Sequence, residues 1–130
     1  MRGKMAFGVP AKYEFVHEAY EQLTLCKYQG RPHWGKNFDR TFTNPACKLR
    51  QKYPEFNKML ELQSIYDPLK MYESELMTHV IKGTLSPHAP RCVMDRTCYC
   101  KEDLHCPAGH MCVPSRAFPE YMVCKPSSFV

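Results

Sequence analysis

The chain is short of what most binding domains depend on. It has only six glycines in 130 residues, and they are scattered. No glycine-rich cluster exists to cradle phosphates, so the chain carries no nucleotide-binding loop of its own. No apolar stretch is long enough to span a bilayer. Met1-Arg2-Gly3-Lys4-Met5 is basic but is not followed by the apolar run of an export signal. The net charge of +5 is mild and spread along the chain without a basic run, which argues against a nucleic-acid partner. There is one tryptophan and no internal repeat.

What the chain does have is cysteine, unevenly placed. Cys26 and Cys47 stand alone early. Six more, Cys92, Cys98, Cys100, Cys106, Cys112 and Cys124, fall in the last third. Six cysteines in so short a segment suit an oxidising compartment, where a unit too small for a large core is stapled by disulfides. All six are expected to be bonded. Six allow 15 pairings and spacing does not choose among them, although Cys98 and Cys100 are expected to take different partners. The state of Cys26 and Cys47 stays open; each falls in a helical reading, where a small buried thiol is the default. His105 and His110 lie among the cysteines, but the tail has Cys-x-Cys and Cys-x5-Cys spacings rather than the Cys-x2-Cys pairs of zinc sites, so no metal is expected. A disulfide tail without an export signal is a contradiction, resolved if the chain is the C-terminal part of a longer secreted protein.

Apolar spacing predicts a helix from Tyr13 to Tyr28, with Phe15, Ala19, Leu23 and Cys26 inward and Val16 and Tyr20 alongside. Its glutamates, Glu14, Glu18 and Glu21, suit the helix dipole, and His17 reads as solvated. Gly30 and Pro32 end it. Asn44-Pro45 predicts a cap and a short helix to about Lys52. Pro54 opens another, with Phe56, Met59, Leu60 and Gln63 on one side and a boundary at Asp67-Pro68. Ser74 is a cap for a last helix, Glu75 to Lys82, stopped by Gly83. Glu73 and Glu75 read as helix-start acids rather than a catalytic pair. Residues 84–91 hold two prolines and read as a linker.

Between the first two helices lies Arg31-Pro32-His33-Trp34-Gly35-Lys36-Asn37, which puts an imidazole, an indole and an ammonium within four residues. In an extended backbone His33 and Gly35 face one way, Trp34 and Lys36 the other. A bend at Gly35 would bring His33 and Lys36 together. On chemistry alone this is a buried Trp beside a solvated Lys and a turn Gly.

The segment Pro32 to Asn37 resembles the HWxK motif of the aldonolactone oxidoreductases, FAD enzymes of the vanillyl-alcohol oxidase superfamily. Lys52-Tyr53-Pro54, Phe56 and Asp67-Pro68-Leu69-Lys70-Met71-Tyr72-Glu73-Ser74-Glu75 are similar to later blocks of the same lactone-oxidase domain. The tail from Cys92 to Cys124 resembles the cysteine-rich extension of plant L-gulonolactone oxidases. The likeness runs from about Tyr13 onward.

The resemblance implies an α+β piece: a mainly helical end of a D-arabinono-1,4-lactone oxidase domain over residues 1–83, a linker at 84–91 and a cysteine-rich extension at 92–130. It implies an oxidoreductase that takes a hydride from a sugar lactone to flavin, towards ascorbate-type products. Lys36 is then the catalytic candidate, a fixed cation beside the flavin's developing negative charge or a holder of a substrate hydroxyl. His33 contacts flavin or substrate, Trp34 is a packing anchor and Gly35 lets backbone approach the ring. The family's FAD-binding domain and further catalytic residues lie upstream, so FAD is expected to be held mainly outside these residues and this piece alone to be inactive. Secretion, and membrane association without a spanning segment, fit the same family. The rival expectation is a small secreted cysteine-rich binding protein whose helical half is only a scaffold.

Overall fold

A computed structural model describes residues 13–83 and 89–130. It shows four α-helices and a two-stranded antiparallel sheet, an α+β arrangement with two small cores. The expected linker falls mostly outside the described residues.

Helix α1 spans Glu14–Gln22 and runs on into a π-helical stretch, Leu23–Lys27. Widening of the helix shows in the bond from Tyr28 N–H to Leu23 C=O, five residues back. The left-handed residue after it is Gln29, at φ 54°, not Gly30. Gly30 is required for a different reason. Its N–H donates to Thr24 C=O at 2.8 Å, and a Cβ there would lie 2.9 Å from that same oxygen. Lys52 completes this end. Its buried Nζ donates to the carbonyls of Leu25, at 2.5 Å, and Gly30, at 2.8 Å, which places a cation where the helix dipole is negative. Burial pushes its pKa down.

The inward face of α1 corrects the sequence expectation. Val16 and Tyr20 are exposed, while Glu18 and Gln22 are buried with Ala19 and Leu23. Helix α2, Asp39–Thr43, was not expected: five residues are too few to show a period, yet Arg40, Thr41 and Phe42 are all buried. The helix expected from Pro45 is instead a turn, closed by Asn44 Oδ1 accepting from Ala46 N–H at 3.0 Å, followed by a 3-10 turn, Leu49–Lys52. Cys26 and Cys47 are not thiols; they are joined to each other. That bridge ties the end of the first helix to this turn.

Helix α3 is Phe56–Tyr66 and α4 is Glu75–Lys82. Ser74 Oγ accepts from Met77 N–H at 3.2 Å, and Gly83 closes α4 at φ 64°, as the cap and stop residues predict. Phe42, Leu49, Phe56 and Val80 make the first core, with Tyr53, Met59, Leu60, Leu76 and Ile81 around them.

The second core is largely sulfur. Strand β1, His110–Pro114, pairs with β2, Met122–Pro126, and sets Cys112 opposite Cys124. The two do not join each other. The bridges are Cys92–Cys98, Cys100–Cys112 and Cys106–Cys124, with Val93 and Met122 packed among them. The sulfurs of Cys100, Cys106 and Cys112 come within 4.8 Å of one another because two bridges lie side by side, and bonded sulfurs are not thiolate ligands. His105 is likewise occupied: Nδ1 accepts from Lys101 N–H and Nε2 lies 3.4 Å from Glu102.

The sulfur-rich tail does not hang free. Its strand β2 lies along α1. Gln22 donates to Met122 C=O at 2.9 Å, and Cys124 N–H donates to Glu18 Oε1 at 3.2 Å. Beside these, Arg40 Nε meets Glu21 Oε2 at 2.8 Å, and Tyr99 donates its hydroxyl to the same oxygen at 3.0 Å. The Arg40 guanidinium lies over the Tyr99 ring at 4.9 Å. Burial works most strongly against the Arg40 charge, but the Glu21 carboxylate together with Tyr99 and Glu18 holds the pKa up. Burial, then Glu21, keeps the Tyr99 phenol protonated.

Two outcomes are expected. No cysteine should be alkylated before reduction and all eight after it, since no free cysteine exists; labelling of a native thiol by intact mass would contradict the bridges. The second concerns Glu18, 1% exposed, whose carboxyl burial pushes up from 4.5 to about 7. Below about pH 4.5 both states hold the proton. Between there and about pH 7 only the folded state does, so stability falls as pH rises through the folded value. The loss by pH 8 should be roughly 2–3 kcal/mol, and Glu18→Gln should remove it. Urea midpoints at pH 5 and pH 8 measure this; equal pH dependence in the two proteins would show that Glu18 is not the group responsible.

Candidate functional site

The His-Trp-Gly-Lys segment is a turn, not the extended strand the sequence suggests. His33 C=O accepts from Lys36 N–H at 3.1 Å and from Asn37 N–H at 3.0 Å. Asn37 Oδ1 accepts from His33 N–H, closing the ring from the other side. Asn37 therefore has a definite task, which the sequence alone did not show. It is a polar residue four places on whose side chain completes the turn.

The turn decides what His33 can do. Its Nδ1 accepts from Gly35 N–H at 3.1 Å. A neutral imidazole accepting at Nδ1 carries its proton on Nε2. His33 is exposed and so offers an N–H donor outward rather than a basic nitrogen. Lys36 is exposed as well, and no carboxylate pairs with it among the described residues. One turn of backbone thus presents a donor and a cation together.

Trp34 holds the turn in place. Its ring centroid is 4.7 Å from Phe42 and 6.1 Å from Tyr53, whose other partner is the Arg31 guanidinium at 4.6 Å. The indole remains 44% exposed, a lid on the first core rather than its centre. Gly35 is not a tight position within the chain: a Cβ there would meet only the His33 ring, at 3.6 Å. The tight glycine within the chain is Gly30, against Thr24.

A cleft of about 300 Å³ opens beside the turn, with Pro32 and Asn37 on one wall and Glu14, His17, Glu21 and Arg96 on others. His33 and Lys36 do not line it. The pair faces open solvent, where a charge acts through high-dielectric water and contributes little. The arrangement can recognise an electron-rich edge or a hydroxyl, but only when a second surface covers it.

Sequence reasoning missed the buried cluster of Glu18, Glu21, Arg40 and Tyr99. The available signal was the spacing of Glu14, Glu18 and Glu21, positions i, i+4 and i+7, which sets three carboxylates on one side of a helix. Such a stripe asks for cations. Arg96 meets Glu14 at 3.2 Å and Arg40 meets Glu21.

The sequence model of D-arabinono-1,4-lactone oxidase matches residues 4–80, and that of the C-terminal domain of L-gulonolactone oxidase 2-like proteins matches residues 89–126. Among relatives, probable L-gulonolactone oxidase 6 of Arabidopsis thaliana is 34% identical over 88% of this chain and 19% of its own length. L-gulonolactone oxidase 2 of the same plant is 35% identical over 88% of this chain and 20% of its own. Probable truncated L-gulonolactone oxidase 7, mitochondrial, also from Arabidopsis, is 31% identical over 88% and 46%. The chain spans about a fifth of the length of the first two curated relatives. No solved structure matches it.

The tautomer assignment has a direct check. Nitrogen-15 shifts of the His33 ring should show Nε2 protonated and Nδ1 not, and Asn37→Ala should loosen the turn and average the two. A protonated Nδ1 in the wild-type chain would overturn the donor assignment.

Proposed function

The chain belongs to the D-arabinono-1,4-lactone oxidase family, and from that premise we propose that it supplies one wall of the active site of an FAD-dependent oxidoreductase acting on an aldono-1,4-lactone. L-gulono- and D-arabinono-1,4-lactone are the substrates of choice, with ascorbate-type products. One observation carries the reading. The tight turn at His33 to Asn37 carries the Lys36 cation and the His33 Nε2–H on one short loop and leaves both exposed. The family match over residues 4–80 takes the basis from the alternative in which the helical half is only a scaffold for a cysteine-rich binding protein.

The residues present fit one edge of a flavin and not the whole cofactor. The cleft beside the turn, about 300 Å³, is at the bottom of the range for small-molecule pockets. The backbone offers no glycine-rich nest for a pyrophosphate. FAD would therefore be held mainly by the part of the enzyme that precedes this segment in the longer relatives.

When bound, the flavin supplies the hydride acceptor. Lys36 then places a fixed positive charge where negative charge develops, an interaction that strengthens in the transition state. His33 donates Nε2–H to a carbonyl or hydroxyl oxygen and orients it. Trp34 keeps the turn seated on Phe42. The four disulfides support folding in an oxidising compartment, the secretory pathway or outside the cell. Among the described residues no helix is long and apolar enough to cross a membrane.

The test uses an enzyme carrying this chain in place of the matching fifth of L-gulonolactone oxidase 2. Lys36→Ala should slow flavin reduction by L-gulono-1,4-lactone about 100-fold or more while changing KM less. Lys36→Arg should recover part of the rate. Trp34→Phe should lower the melting temperature with a smaller effect per folded molecule. Anaerobic stopped flow resolves these outcomes. Wild-type flavin reduction in Lys36→Ala would make Lys36 an ordinary surface lysine.

A further inference from the structure

A second cleft, of about 350 Å³, lies between the end of α4, the end of α2 and the 3-10 turn Leu49–Lys52. Phe42, Leu49, Val80 and Ile81 give it apolar walls. Its charged residues are all of one sign: Lys48 and Arg50 at the turn and Lys82 on α4. No Asp or Glu is among the described residues that line it. The three cations are exposed, and among the described residues no carboxylate forms an ion pair with any of them. A concave surface lined by one sign of charge over low-dielectric walls focuses the field and draws counter-ions.

Ordinary surface roles do not account for this set. Lys82 alone is explained by α4, whose last turn carries about half a unit of negative charge. Lys48 and Arg50 come from a different segment and add two full charges to the same cleft. Arg50 is held by neutral partners. Its Nη2 donates to Asn57 Oδ1 at 2.5 Å and its guanidinium lies over the Phe56 ring at 5.1 Å, so the side chain is placed without being paired to an acid. Lys48 follows Cys47, which the bridge to Cys26 fixes. Cations ordered in advance lose less entropy when a ligand arrives. His79 also lines the cleft, and its Nδ1 is buried with no hydrogen-bond partner among the described residues. A buried polar atom without a partner is rare in a folded protein and calls for an explanation. An Nδ1–H at that position lacks only an acceptor.

We propose that this cleft binds a compact multivalent oxyanion, a small molecule bearing two or more phosphate or carboxylate groups. The cations belong to two separate elements, so a ligand that meets both carries charge at more than one point. Lys48, Arg50 and Lys82 supply charge-assisted hydrogen bonds, and the His79 ring gains its acceptor. The volume is near the lower limit for small-molecule sites, which suits a ligand of pyrophosphate or citrate size and not a dinucleotide. Neither His33 nor Lys36 lines this cleft, and the proposal does not rest on the oxidase reading. The two places share one residue, Phe42, which walls the cleft and also seats Trp34.

The test titrates pyrophosphate and citrate separately into the chain at low ionic strength, by calorimetry. At least one should saturate a single site per chain, and the tighter of the two assigns phosphate or carboxylate as the ligand's acid group. Lys48→Ala and Lys82→Ala should each weaken binding about tenfold or more, at an unchanged melting temperature. Lys101→Ala, which removes an exposed lysine of the cysteine-rich tail, should leave affinity unchanged. The nitrogen-15 signal of His79 Nδ1 should move as the site fills. Absence of saturable binding by either anion overturns the proposal. So does equal weakening by all three substitutions, which would mean diffuse attraction to a cationic surface. Saturation with the His79 signal unmoved would place the anion elsewhere and overturn it too. Vesicles containing phosphatidylserine are the last arm: binding to them by a chain that takes up neither soluble anion would assign the patch to a lipid surface instead.

Discussion

Arg40 reaches Glu21 at 2.8 Å with 1% of its side chain exposed, and the packing of the two halves depends on that pair. A buried ion pair is a poor source of net stability, because both charges give up water. Its consequence is specificity. Removing Glu21 leaves the buried Arg40 guanidinium without its hydrogen-bonded carboxylate, at a cost of about 3–5 kcal/mol, so α1, α2 and the tail are committed to one relative placement. The geometry spreads that commitment. Arg40 N–H bonds to Arg96 C=O at 3.2 Å, and Arg96 in turn meets Glu14 and lies over Phe38 at 4.3 Å. One short helix thus holds a strand-bearing tail by its backbone and by its charge.

This explains where sequence reasoning succeeded and where it did not. Helices α3 and α4 were legible because caps, stops and apolar spacing all agreed: Ser74 before the helix, Gly83 after it, Asp67-Pro68 as a boundary. Helix α2 was invisible because five residues show no period, and its fold-critical residue is charged. The inward face of α1 was misread for the same reason. Apolar spacing placed Ala19 and Leu23 inward, where they are buried, but also set Val16 and Tyr20 beside them, where they are exposed; the tail offers Cys124 N–H and Met122 C=O, which call for Glu18 and Gln22. A polar interface does not announce itself through hydrophobic periodicity. The pairing of Cys26 with Cys47 was equally out of reach, since 21 residues of separation say nothing about proximity.

The candidate site was legible in composition and not in shape. His33, Trp34 and Lys36 stood out as residue types, and their order pointed to a family. Their conformation did not follow, because the turn is fixed by Asn37, whose role appears only once its side chain is seen accepting from His33 N–H. The turn changes the chemistry. An extended strand would have put His33 and Lys36 on opposite faces. The closed turn sets them on one short loop and commits Nδ1 of His33 to Gly35, so the ring acts as a donor.

The placement of this turn follows from the same buried contacts. Its first residues leave the end of α1 at Gly30, where Lys52 Nζ binds two carbonyls. Its last residues lead straight into α2, whose Arg40 is locked to Glu21. Trp34 rests on Phe42, also from α2. The loop is therefore anchored at entry, middle and exit while the His33 and Lys36 side chains stay exposed. Under the proposed function, such rigid support is what one wall of a shared site requires, because preorganisation must precede the arrival of the other wall. The cysteine-rich tail then has a physical role without touching the turn. By clamping α1 and α2 through Glu18, Glu21, Arg40 and Tyr99, it fixes both ends of the loop that carries Lys36.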